Sequence, residues 1–151
     1  MEFIIRNARP ADVDAIAAME EACFSDPWSS TMIANELQKD NVFFLVAEAD
    51  GAVCGYAEGE DICGDFYINN IAVAEPFRQQ HIAETLLRRL MATARERNCD
   101  CVTLEVRESN LPAQRLYEKC GLSRVGMRTN YYQYPTENAL IYTLLLQEDE
   151  P

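Results

Sequence analysis

Apolar and polar positions change period several times along the chain, and each change marks an element. Phe3 to Arg6 is a short apolar run that suits a strand. Pro10 stands where a first helical turn accepts a proline, and Val13, Ile16 and Met19 follow at helical spacing. After the turn-rich Phe24-Ser25-Asp26-Pro27-Trp28, Ser29 or Ser30 can cap a short helix carrying Ile33 and Leu37. Val42 to Glu48 and Ala52 to Ala57 flank Asp50-Gly51, which tolerates the positive φ of a tight hairpin turn. A strand from about Phe66 to Val73 is closed by Glu75-Pro76, because proline donates no ladder hydrogen bond. The stripe Ile82, Leu86, Leu87, Leu90, Met91 and Ala94 predicts a long helix.

Cys101 to Val106 alternates, with Val102, Leu104 and Val106 on one face and Thr103 and Glu105 on the other, as a half-buried strand does. Asn110 can cap a helix from Leu111 to Lys119, with Gly121 as its left-handed stop. Strands near Leu122 to Arg128 and Ala139 to Leu146 follow. The order β-α-α-β-β-β-α-β-α-β-β predicts an α/β fold, a mixed sheet with helices on its faces. No repeat or linker divides residues 1–151, so one domain is expected.

Composition narrows the partners. With 151 residues, 48% apolar and 25% charged, the chain reads as a globular domain with one core. Thirteen Lys+Arg against twenty-five Asp+Glu, a net charge of −12, exclude a surface that tracks phosphates, so no nucleic-acid partner is expected and any anion site must be local. The same acidity suits either a cationic partner or plain solubility. Six cysteines with no CxxC pair, and a single histidine, make no metal site. Neither an export signal nor an apolar run of bilayer length is seen, so reduced thiols, a cytoplasmic location and no membrane partner are expected.

Between a strand and a helix lies Phe77-Arg78-Gln79-Gln80-His81-Ile82-Ala83. Free N–H groups and the positive dipole end make such a junction an anion site, but every β-loop-α unit has this geometry. The residues themselves say more. Ile71 to Leu87 resembles the GNAT family of N-acetyltransferases, whose signature after the fourth strand is Arg/Gln-x-x-Gly-x-Gly/Ala. Arg78 and Ala83 match its outer positions, and His81 stands where the central glycine would be. The resemblance implies a GNAT-like, mostly antiparallel sheet with helices on both faces. It implies acetyl-CoA as co-substrate, held by Ile71, Ala72 and Val73 and by Arg78, Gln79, Gln80, His81, Ile82 and Ala83, with its pyrophosphate on the loop amides. At position 81 the imidazole either crowds the phosphates or turns to solvent.

Leu104-Glu105-Val106-Arg107-Glu108-Ser109-Asn110, with Ala113, Leu116-Tyr117-Glu118 and Gly121-Leu122, is similar to the family's fifth strand and fourth helix. There a splayed strand lets a pantetheine arm bond as an added strand would. Phe24 with Pro27-Trp28-Ser29, and Asn130-Tyr131-Tyr132, resemble a bacterial subgroup, the ribosomal-protein-alanine N-acetyltransferases. That resemblance implies a protein N-terminus as acceptor, the N-terminal alanine of a small-subunit ribosomal protein. It makes Glu105 the base through a water, Tyr117 the acid at the departing sulfur and Asn110 a neighbour of pantetheine. Phe24, Trp28, Tyr131 and Tyr132 would frame the acceptor peptide.

Each residue also has a plainer reading. Glu105 can be solvated or paired with Arg107, Tyr117 and the other aromatics can be packing residues, and Asn110 is a helix cap. The chemistry favours an N-terminal amine. With a pKa near ~8 against ~10.4 for lysine, its neutralisation at pH 7 costs about 1.4 rather than about 4.6 kcal/mol. Rival readings are an acetyltransferase of small amines or lysines, a silent coenzyme-binding module motivated by His81, and Cys/His nucleophilic catalysis, for which nothing in the sequence brings the partners together.

Overall fold

Capping side chains and one glycine set the helix boundaries where the pattern puts them. In a computed structural model, which describes residues 2–146, Ser29 accepts a hydrogen bond from the Met32 N–H and Asn110 Oδ1 one from the Ala113 N–H, both at 3.2 Å. Gly121, at φ +98°, follows the helix that Asn110 opens. The elements are β1 (Ile4–Asn7), α1 (Val13–Cys23), α2 (Ser30–Leu37), β2 (Val42–Ala49), β3 (Ala52–Ile62), β4 (Asp65–Val73), α3 (Ile82–Glu96), β5 (Cys101–Arg107), α4 (Leu111–Lys119), β6 (Ser123–Tyr132) and β7 (Glu137–Leu145). Short 3₁₀ turns lie at Pro10–Asp12 and Glu75–Phe77.

This is the expected order, with two strands longer than the pattern indicated. β3 continues past Ala57 to Ile62, because Glu58, Glu60 and Asp61 hide a strand behind polar residues; the true turn is Cys63-Gly64, both at positive φ. β6 continues past Arg128 to Tyr132, with an irregular register there and Asn130 in the left-handed region.

The seven strands form one sheet in the order β1-β2-β3-β4-β5-β7-β6. Every neighbouring pair is antiparallel except β4 and β5. One face carries α3, whose Ile82, Leu86, Leu87 and Leu90 are buried with Phe66, Val102 and Leu104, while Leu116 and Tyr117 of α4 pack against this layer. On the other face Ile16 and Met19 of α1 and Ile33 of α2 meet Phe44, Val46, Tyr56 and Ala72. The helices thus cover both faces.

One register feature shapes the rest. β4 and β5 pair only from Asp65↔Cys101 to Ile68↔Leu104, and then diverge. Their outer edges stay paired, β4 to β3 as far as Val73 and β5 to β7 as far as Arg107. The wedge so formed opens at the carboxyl end of β4.

The core beneath it is closely packed. A Cβ added at Gly59 would overlap the ring of Phe66, which is fully buried. Gly59→Ala is expected to lower unfolding stability by about 1–3 kcal/mol through overpacking, read from the urea midpoint.

Candidate active site

The wedge continues into a cleft of about 480 Å³. Glu105, Val106 and Arg107 of β5 form one side, and Tyr67, Asn69, Asn70 and Ile71 of β4 the other. The segment between α1 and α2 contributes Phe24, Ser25, Asp26 and Trp28; Tyr131, Tyr132 and Gln133 close the far wall; Asn110 and Tyr117 enter from α4. Eight of the predicted site residues therefore meet in one cavity: Phe24, Trp28, Ile71, Glu105, Asn110, Tyr117, Tyr131 and Tyr132.

Glu105 projects into the cleft because β5 alternates, with Leu104 and Val106 in the core. Its side chain is 7% exposed, and Oε2 accepts from Arg128 Nε at 2.7 Å. Arg107, the expected alternative partner, turns elsewhere. It donates to Glu137, to the carbonyls of Gln133 and Pro135 and to Ser25 Oγ, and its guanidinium lies 4.6 Å from the Tyr132 ring centroid. The reason is lateral: Glu137 opens β7, so it faces the end of β5.

Tyr117 packs at 6.0 Å, centroid to centroid, against Tyr142, and burial pushes its phenol up to about 12. A proton is thus retained on that hydroxyl throughout the neutral range. Tyr131 and Tyr132 meet edge to face at 5.1 Å, and burial followed by the charge of Glu105 raises both phenols. Asn110 serves two ends, capping α4 while it lines the cleft.

The loop before α3 lies beside this cleft. Gln79 and His81 take left-handed backbone angles, φ +64° and +66°, a conformation that favours glycine. His81 at the N-cap of α3 makes no side-chain cap, and as in any helix the first-turn N–H groups have no intrahelical acceptor. The His81 side chain is 77% exposed, turned to solvent with Nδ1 3.6 Å from Glu84. Arg78 folds inward, Nε donating to the Val73 carbonyl at 3.0 Å. The side chains of Ala72 and Val73 are buried in opposite faces of the sheet, which leaves only their backbone for a ligand. Along α3 from His81 runs an open groove of about 510 Å³ lined by Arg88, Arg89 and Lys119, with Glu84 between them paired to Arg88 and Lys119.

The sequence that builds the splayed pair and most of the cleft matches a known family. The model of the acetyltransferase (GNAT) family matches residues 13–122. The chain belongs to the GNAT acetyltransferases. A "putative ribosomal protein bS18-alanine N-acetyltransferase" of Bacillus subtilis is 37% identical over 145 residues, 95% of this chain and 96% of that protein. The crystal structure of the ribosomal-protein-S18-alanine N-acetyltransferase from Escherichia coli superposes with a TM-score of 0.89 at 26% identity, covering 99% and 97% of the two chains. A chain of the NatC complex, solved bound to Gag peptide and CoA, shares the fold at a TM-score of 0.84 and 22% identity, covering 97% and 100%. GNAT acetyltransferases use acetyl-CoA. Among the described residues no helix is long and apolar enough to cross a membrane, and no group of three or more His, Cys, Asp or Glu is arranged to hold a metal ion.

Sequence reasoning missed several cleft residues of this GNAT chain, chiefly Glu20, Asn69, Asn70 and Arg107. A signal existed for Glu20, a carboxylate beside Met19 on a helix whose other inward positions are apolar. Asn69 and Asn70 interrupt a strand of apolar residues at an irregular register with β3. Behind them Glu58 is fully buried; Oε1 accepts from Asn69 Nδ2, and Oε2 has no donor. Burial first, and then the neighbouring Glu36 and Glu60, push its carboxyl up to about 8, against the lowering effect of Asn69. A folded-state value above the unfolded one means that the native state holds this proton while the unfolded state releases it. Stability is therefore expected to fall as pH rises from about 4.5 to about 8, and Glu58→Gln to flatten that slope in urea titrations.

Proposed function

We propose that this chain transfers the acetyl group of acetyl-CoA to the N-terminal amine of a protein, the N-terminal alanine of a small-subunit ribosomal protein. The observation that carries the reading is the convergence of Glu105, Tyr117, Trp28, Tyr131 and Tyr132 on one cleft at the mouth of the β4–β5 wedge. Support comes also from the names of the relatives in Bacillus subtilis and Escherichia coli, which specify alanine of that ribosomal protein. The proposed compartment is the cytoplasm, which suits six free cysteines.

The residues divide the work. The edge of β4 near Ile71, beyond its last pair with β5, takes the pantetheine arm as an added strand, with Asn110 beside it. The amides from Gln79 to Ala83 receive the pyrophosphate; the outward imidazole of His81 leaves them accessible, and Arg89 lies nearby together with Arg88 and Lys119, which share Glu84. When bound, the coenzyme supplies the thioester. Glu105 takes a proton from the acceptor amine through a water, as the new N–C bond forms and the C–S bond breaks. Tyr117 donates its hydroxyl proton to the departing sulfur. A phenol at about 12 is a weak acid, so that transfer runs together with C–S cleavage. Arg128 holds the Glu105 carboxylate in place. Phe24, Trp28, Tyr131 and Tyr132 enclose the first residue of the acceptor.

Turnover of acetyl-CoA with a peptide copying the N-terminus of that ribosomal protein tests the proposal. Glu105→Gln and Tyr117→Phe are each expected to lower kcat by roughly 100-fold or more while moving the acetyl-CoA KM little. Unchanged rates in both variants would refute the assigned roles, and free polyamines outcompeting the peptide would refute the acceptor.

A further inference from the structure

A buried charge borders the acceptor end of the cleft and takes no part in the proton transfers above. Glu20 is 1% exposed, on the inward side of α1 beside Met19. A carboxylate removed from water is costly unless donors surround it, and here they do. Oε1 accepts from the Trp28 N–H at 2.8 Å; Oε2 accepts from Asn70 Nδ2 at 2.9 Å and from the Tyr56 hydroxyl. The three donors come from three places: the segment joining α1 to α2, β4, and β3. Asn70 lies on β4 beyond the last pair with β5, where the strand edges the wedge. Trp28 directly precedes the cap of α2. Both oxygens of Glu20 are thus engaged within the fold. The residue ties the wall that carries Phe24 and Trp28 to the strand that edges the wedge.

We infer that Glu20 is a positioning residue that holds the Phe24–Trp28 segment against β4 and thereby sets the acceptor end of the cleft. The inference rests on the reading of this cleft as the site of a protein N-terminus. It identifies a determinant of acceptor fit that lies behind the lining aromatics. Losing the carboxylate frees the Trp28 backbone and lets the wall drift, whereas Asn70 stays on β4 through its pairing with Glu58 of β3, and the loop before α3 makes no bond to Glu20. Acceptor binding should suffer, and coenzyme binding should not.

The test uses the full chain and two substitutions. Glu20→Ala removes all three bonds, whereas Glu20→Gln keeps the shape and one acceptor oxygen, and serves should the alanine variant not fold. Expected are a rise in the peptide KM of roughly 10-fold or more in Glu20→Ala and a smaller rise in Glu20→Gln, with the acetyl-CoA KM within about twofold in both. Trp28 is the chain's one tryptophan, so its emission reports on the same wall without any substrate. Red-shifted emission and stronger acrylamide quenching are expected in Glu20→Ala, with a smaller change of the same sign in Glu20→Gln. The inference is overturned if Trp28 emission and quenching in Glu20→Ala match the native protein, or if in either variant the acetyl-CoA KM rises together with the peptide KM. Should the native protein acetylate no peptide, the acceptor reading fails alone, and the Trp28 measurements still decide whether Glu20 positions this wall.

Discussion

The parting of β4 and β5 after Ile68 and Leu104 is the constraint on which the site depends. Two parallel strands paired to their ends would leave no gap for a ligand and no unpaired backbone to hold one. The gap persists because each strand is anchored on its far side, β4 by β3 and β5 by β7, along the stretch where they separate. Unpaired backbone polar groups are costly when shut away from water, so the wedge is stable only while it is wetted or filled.

Around that opening the protein distributes its carboxylates by giving each a different partner. Glu105 faces Arg128, Glu137 faces Arg107, Glu20 is met by neutral donors, and Glu58 is left with one amide and a raised affinity for protons. In a chain of net charge −12 such partnering gives each of these carboxylates its own surroundings. Arg107 also joins two walls, since it donates to Ser25 and to the Gln133 carbonyl, which Ser25 itself reaches at 3.1 Å. Positive side chains are gathered locally too, with Arg88, Arg89 and Lys119 along one groove beside α3, where Glu84 pairs with Arg88 and Lys119.

Local signals in the sequence determined the element order, both capped helices and the stripe of α3, because period, capping residues and turn glycines act within a few residues of themselves. They also determined that Glu105 points away from Leu104 and Val106, since alternation follows from the pleat. The motif positions singled out eight residues that share the cleft. Tertiary structure alone decided the rest. β3 extends through Glu58 to Ile62 because its neighbours cover polar positions that read as a loop. Glu105 chooses Arg128 over Arg107, and Glu20 gathers donors from three elements, because partners separated by tens of residues meet only once the sheet has formed. Hydrogen-bond partners, unlike periodicity, are set by distance in space, and no spacing along the chain encodes that.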